Sequence, residues 1–464
     1  MVWLDGKPTL VKTIAWPADD PDLKWKGWNR ENWSVLDSQI LFWRALLSEK
    51  PKTVIYMADI ASARDTQVDT ILLKRVAELD YAAHCLVIVP DVGFVTAEWR
   101  SNSGVYFRAH SETGEFLRER HCPAHASYGN LYVLGTTVSL CVTSTDPIPP
   151  NWKNVFAPYI HFLRLDYRAG YTHDLPQNLA AETILTWNAD SGDLRMVKIP
   201  QISSAKIAHD AQFQYISSHK IVLASNLANH CGAVLSAFSV NAGDEEEPLM
   251  FYHRQHSNPE CINNYLGQTS TSTLSPIVVH NHDSASRITI FKSELLLGDI
   301  PSVATSQDPS GLREVWYYPN DARTLSFKVP DFPCVATTRV LVYRRDERAE
   351  RPIIFVLDFD QTLLAALLSK QPSERADWNA QLVDACAQVK VVTRRFNIDV
   401  EDQIWDAEYP WPQQAPPEKP VPFGYVQTTL RLEGVADAER LAITQHAVIE
   451  IPELGKNGRV FYFD

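Results

Sequence analysis

Thr183-Ile-Leu-Thr-Trp-Asn-Ala-Asp-Ser-Gly-Asp193 reads as an apolar strand running into an acidic, glycine-containing turn. Thr183, Leu185 and Trp187 alternate with Ile184, Thr186 and Asn188, the period of a half-buried strand. The pattern returns at Val105-Tyr-Phe-Arg-Ala-His-Ser-Glu-Thr-Gly-Glu115, Val234-Leu-Ser-Ala-Phe-Ser-Val-Asn-Ala-Gly-Asp244, Arg287-Ile-Thr-Ile-Phe-Lys-Ser-Glu294 and Ile353-Ile-Phe-Val-Leu-Asp-Phe-Asp360, and it closes the sequence as Arg459-Val-Phe-Tyr-Phe-Asp464. Between Val105 and Ile353 the copies stand roughly 50 to 80 residues apart.

A repeat of about 50 residues that ends in the same strand and turn is what a β-propeller blade leaves in a sequence. The surplus over a minimal blade belongs to loops, around Pro147–Trp152 and Asn258–Ser275. The expected fold is mainly β, a six- to eight-bladed propeller. Its last strand is expected to close against an early blade, because closure removes an exposed sheet edge.

Composition agrees with a large folded chain: 464 residues, 45% hydrophobic and 10% aromatic, provide for a sizeable core. The formal net charge of -13 argues against a nucleic-acid backbone or an anionic membrane as main partner, since both attract basic surfaces. No stretch approaches the roughly 20 apolar residues that span a bilayer. The seven cysteines, at 85, 122, 141, 231, 261, 334 and 386, are scattered and lack a C-x-x-C spacing, which predicts free thiols in a reducing compartment, cytoplasmic or nuclear.

Residues 1–80 read differently from 81–464. Leu36, Ile40, Trp43 and Leu47 fall at helical spacing, with Asn32 or Ser34 as N-cap, and Ile71–Leu79 gives a second helical pattern. Thr53-Val-Ile-Tyr-Met-Ala58 fits a strand or a helix start. A second helical insertion is expected near 362–390, a proline-rich extended loop near 406–422, and renewed strands at Gly424–Leu432 and Ala447–Ile451. Trp3, Trp16, Trp25 and Trp28 are read as pins holding the N-terminal segment across the ring.

Asp37-Ser-Gln-Ile-Leu-Phe-Trp-Arg-Ala-Leu-Leu47 is similar to the tail of an F-box, and turns such as Ser111–Glu115 are similar to those of WD-type blades. Together they resemble the fungal F-box proteins with a degenerate propeller region, although the Leu-Pro-rich opening helix is absent. The resemblance implies that Leu36, Ile40, Trp43 and Leu47 dock on the Skp-type adaptor of a cullin ubiquitin ligase while the propeller holds a ubiquitination target. The alternative for the same four residues is a helix packed on the propeller's own rim. On either reading the chain is a non-catalytic interaction protein that needs no cofactor.

Two enzymatic readings stand beside it. Ala208-His209-Asp210 resembles a histidine motif of the carotenoid cleavage oxygenases, propellers that hold Fe(II) with four histidines. That likeness implies His209, His280, His282 and His446 as ligands, with His125 or His173 as weaker candidates. Ile353–Leu363 resembles the first motif of haloacid dehalogenase-like phosphotransferases, implying Asp358 as nucleophile and Asp360 as acid and base beside magnesium. The hairpin expected between Thr338–Arg344 and the following strand speaks against the parallel sheet that this chemistry requires. His253 and His256 have a metal-compatible spacing but sit in a strand-like context.

Overall fold

The computed structural model describes residues 6–24, 29–36, 38–47, 49–100, 104–123, 131–142, 183–198, 212–217 and 220–226, separate strands between 232 and 325, and then 335–344, 353–360, 362–363, 389–394, 423–435 and 438–463. The chain is mainly β, a β-propeller, and among the described residues its strands form seven sheets.

The first sheet is Asn29–Leu36, Gln39–Leu46, Lys52–Asp59 and Lys74–Leu79; the second is Cys85–Val89, Gly93–Arg100, Gly104–His110 and Phe116–Cys122. Tyr132–Leu134, Thr137–Val142, Thr183–Asn188 and Leu194–Lys198 make the third. The fourth is built on Gln212–Tyr215, Lys220–Asn226, Gly232–Ser239 and Leu249–Arg254, the fifth on Asn264–Leu266, Ile277–Asn281, Ile288–Phe291 and Arg323–Leu325. The sixth contains Val335–Ala336, Arg339–Arg344, Ile353–Asp358 and Phe423–Leu430. In the last, Leu441–Ile443, Ala447–Glu450 and Gly458–Tyr462 are completed by Leu10–Ala15 from the other end of the chain. Leu10–Ala15 runs antiparallel to Gly458–Tyr462, with Leu10 opposite Tyr462 and Ile14 opposite Gly458, which is the closure expected from the sequence.

Every repeat quoted above occupies the third strand of its sheet, not the last. The acidic turn leads into a fourth, outer strand: the Ser111 N–H donates to Glu115 O at 2.8 Å, and Gly114 supplies the φ of +86°. Asn188 Oδ1 accepts from the Asp190 and Ser191 N–H groups at 2.9 and 2.8 Å and fixes the matching turn in the third sheet. Thr53–Ala58, ambiguous in the sequence, holds the same third position in the first sheet.

Successive sheets pack face to face. Leu41, Trp43, Ile55 and Met57 of the first meet Leu86, Ile88 and Phe94 of the second. Phe107 of the second stacks on Trp187 of the third with ring centroids 5.8 Å apart. Ser139 of the third reaches Tyr215 of the fourth at 2.5 Å, and Ile14, Val448 and Val460 of the closing sheet share a core with Ile40 and Tyr56 on one side and Leu341 and Val356 on the other. This stacking corrects the half-buried reading of Thr183–Asn188: Ile184, Leu185, Thr186 and Trp187 are all buried, because a sheet between two neighbours has no solvent face.

The helical preface is also corrected. Gln39–Leu46 is a strand, and Ile71–Leu79 is divided between the strands Thr70–Leu72 and Lys74–Leu79. Helical spacing was present at Leu36, Ile40, Trp43 and Leu47 because Ile40 to Trp43 is an unbroken apolar run, and such a run matches every period. The helices described before residue 80 are the short Pro21–Lys24 and Ile60–Arg64. Trp16 does act as a pin: its Nε1 donates to Glu453 O at 2.8 Å, and its ring meets Phe42 and Tyr56 edge-on. Trp3, Trp25 and Trp28 lie outside the described residues.

Several outer edges are covered by the chain itself. The connection between the third and fourth strands of the first sheet adds Thr70–Leu72 in parallel to Leu10–Ala15. The equivalent connection of the fifth sheet adds Arg313–Trp316 in parallel to Leu249–Arg254. In the sixth, Val389–Arg394 pairs antiparallel with Phe423–Leu430. The first of these staples is fixed by Lys12, 2% exposed, whose Nζ donates to Ala63 O at 2.5 Å and Thr66 O at 2.8 Å, and by Tyr462, whose hydroxyl donates to Ile60 O at 2.6 Å. Of the forecast insertion at 362–390, Thr362 and Leu363 begin a helical turn and Val389 opens a strand; the residues between them, and the proline-rich 406–422, lie outside the described residues.

Candidate binding surface

The structure separates the residues singled out in the sequence. Ile40 and Trp43 are 0% and 3% exposed, on opposite faces of a central strand, and Leu36 and Leu47 flank that strand half-buried. Four side chains so placed do not form one docking face, and exposing Ile40 or Trp43 to an adaptor would require separating the first sheet from the closing or the second sheet. Asp358 and Asp360 are likewise occupied. Asp358 pairs with Arg339 at 2.9 Å and accepts from Thr338 Oγ1 at 2.7 Å and from the Asp360 N–H at 3.0 Å. Asp360 accepts from the Thr362 and Leu363 N–H groups as a helix N-cap. Their sheet is antiparallel on both sides of Ile353–Asp358, so the parallel sheet of a phosphotransferase is absent at this strand and that reading is withdrawn.

His209 and His282 lie outside the described residues, as do His125, His173 and His256. His280 sits opposite Tyr265 and Ile288 in the fifth sheet, and His253 opposite Ala233 in the fourth. His446 lies in the turn that links two strands of the closing sheet, its N–H donating to Thr444 Oγ1 at 3.2 Å. Among the described residues no group of three or more His, Cys, Asp or Glu is placed to hold a metal ion.

What the structure brings together instead is a polar cluster in the seam between the first and second sheets, near the outer rim. Arg108 lies 4.1 Å over the Tyr81 ring and bonds Glu98 at 2.6 Å and Glu119 at 2.5 Å. Arg100 bonds the other oxygen of Glu98 at 2.8 Å. Burial opposes the charges of this group, yet the carboxylates raise the Arg108 pKa, and the two guanidinium groups hold Glu98 below the usual carboxylate range. Deeper in, the Tyr81 hydroxyl meets Thr96 Oγ1 at 2.8 Å and His110 Nε2 at 3.2 Å, and burial pushes the His110 pKa down, favouring the neutral ring. His110 stacks on Phe94 with centroids 5.0 Å apart and meets Phe116 edge-on at 5.9 Å. The cluster therefore anchors the outer strand Phe116–Cys122 at two points, Phe116 and Glu119.

Large apolar side chains left exposed among the described residues lie on or beside the outer strands of three sheets. Phe116, Leu117 and Met196, at 56%, 46% and 59%, lie on the outer strands of the second and third sheets. Val11, Val68 and Leu72 lie on or beside the outer edge of the closing sheet, where Thr13 pairs with Thr70 in parallel register. The sequence reading did not select these residues. The available signal was local: Phe116-Leu-Arg-Glu-Arg120 sets two adjacent apolar residues where a solvated strand would alternate.

No protein-family model and no curated protein matches the chain. Solved structures resemble it at low identity. BamB from Moraxella catarrhalis aligns over 70% of each chain at 11% identity with a TM-score of 0.30. Sqt1 from Chaetomium thermophilum aligns over 71% of this chain and 69% of its own at 9% identity and a TM-score of 0.35. TolB from Acinetobacter baumannii aligns over 66% and 57% at 11% identity and a TM-score of 0.30.

Proposed function

We propose that this protein is a non-catalytic interaction propeller that recognises a protein partner through its outer rim. The observation that supports this is the exposure of Phe116, Leu117 and Met196 on the outer strands of two successive sheets, the strand of Phe116 and Leu117 being anchored by the polar cluster through Phe116 and Glu119. Apolar groups fixed on a rigid sheet bind without a large ordering cost, and large exposed aromatic and Met side chains are the types enriched at interfaces. The narrower form of the proposal is a target receptor of a cullin ubiquitin ligase. It requires a Skp-type adaptor site outside residues 29–79, because that stretch is a sheet of the ring. The proposal places this work in the cytoplasm or nucleus, the reading that scattered cysteines without a C-x-x-C spacing support.

The test is photo-crosslinking in cells with benzoylphenylalanine at Phe116, at Met196 and at Lys456, which lies in a turn of the closing sheet. The same partner captured at Phe116 and Met196 but not at Lys456 supports rim recognition. Absence of crosslinks at both rim positions refutes it.

A further inference from the structure

The closing and fourth sheets each carry an extra parallel strand on their outer edge, and among the described residues the second and third sheets do not. Their third-to-fourth connections are the tight turns at 111–115 and 189–193, with no excursion that could supply one. Among the described residues Phe116–Cys122 is a sheet edge, with Gly104–His110 its one strand neighbour. An uncovered edge presents a row of backbone donors and acceptors to any extended segment.

Side-chain direction then selects the partner. Arg118 and Arg120 lie opposite Ala109 and Phe107, whose side chains point into the core shared with the third sheet. Directly opposite residues share a face, so both arginines project toward the third sheet. Met196, opposite Leu185 of the same core, projects into that gap from the other side. Gly192 bounds it, its missing Cβ only 3.3 Å from Arg118 Nη1. Neither Arg118 nor Arg120 has an ion pair among the described residues, whereas Glu119 between them is turned to the opposite face and held by Arg108. Among the described residues the edge therefore shows two cations two residues apart without an ion pair, with apolar Met196 and Leu117 nearby, on a chain of net charge -13.

We infer that the Phe116–Cys122 edge binds an extended acidic segment of another protein by strand addition, with carboxylates at alternate positions meeting Arg118 and Arg120 and apolar contacts at Leu117 and Met196. The inference rests on the rim-recognition reading and names the chemistry of its partner. Strand addition is the mode this protein already uses on its own closing and fourth sheets. The period of two between the arginines matches the repeat of side chains along one face of an added strand.

The experiment is fluorescence anisotropy with a labelled peptide alternating Glu and Val over eight residues, the same peptide with Lys for Glu, and the Glu peptide N-methylated at alternate amides. Wild type binds the Glu peptide, and the Lys and N-methylated peptides bind about tenfold or more weakly. The variant Arg118→Glu/Arg120→Glu, which changes one half-buried and one exposed side chain and is checked for fold by circular dichroism, inverts the preference between Glu and Lys peptides. No binding of the Glu peptide, equal binding by the double variant, or undiminished binding of the N-methylated peptide overturns the inference. The rim crosslinks at Phe116 and Met196 stand apart from these arms: if they persist while the peptide fails, strand addition of an acidic segment is wrong and rim recognition survives; if they vanish too, both fall.

Discussion

Removing one partner from the Arg339–Asp358 pair should cost far more than removing both. Both residues are 7% exposed, and the pair sits where the sixth sheet meets the closing sheet, with Arg339 Nη1 donating to Gln445 O at 2.6 Å. Asp358→Leu leaves a buried guanidinium without its carboxylate, a loss of about 3–5 kcal/mol, and strips an acceptor from Thr338 and from the Asp360 N–H at about 1 kcal/mol each. Arg339→Met leaves the opposite charge unpaired and also abandons the Gln445 carbonyl. In the double variant both desolvation costs are gone, so it should be more stable than either single variant. The assay is urea unfolding followed by near-ultraviolet circular dichroism, analysed as a double-mutant cycle. Single variants that each lose less than about 1 kcal/mol, or losses that simply add in the double variant, would refute the structural role given to Asp358.

Gly114→Ala forces a side chain onto a φ of +86° with its Cβ 2.5 Å from the Ala77 Cβ, and should lower stability by about 1–3 kcal/mol or more, read as a fall in Tm. His110 has a folded pKa pushed below its ordinary 6.5 by burial, so the unfolded chain binds the extra proton and stability should fall as pH drops below 6.5; His110→Gln should flatten this part of a stability-against-pH curve. Glu98, held below its ordinary 4.5, contributes stability that is present above that value and lost as pH falls through its lower folded pKa, so a second, more acidic loss should vanish in Glu98→Gln. Cys122 is buried with its thiol pushed up, and should resist iodoacetamide until urea unfolds the second sheet, as read by mass spectrometry.

The propeller was legible because its evidence is local and repeated. A buried strand followed by an acidic turn needs apolar residues in a row and then a residue tolerant of positive φ, and Gly114 and Gly192 mark those turns directly. The hairpin between Arg339–Arg344 and Ile353–Asp358 and the strands at Phe423–Leu430 and Ala447–Glu450 followed from the same pattern. The first sheet was misread for the complementary reason. Its central strand is buried on both faces, and an apolar run without alternation has no period to distinguish helix from strand.

The rim surface depended on information that no single stretch contains. Which connection leaves its sheet to staple a neighbour, and which turns back at once, decides where an edge stays open; strand pairing between residues far apart in the chain settles that. Strand alternation turns Glu119 away from Arg118 and Arg120, and only the neighbouring strand brings Arg108 opposite it to form the pair. By itself the sequence determined the repeat, the turns and the acidic, strand-rich character of the chain, since these rest on local propensity and composition. Tertiary structure alone decided burial, edge coverage and charge pairing, because each is a property of what a residue's neighbours are in space.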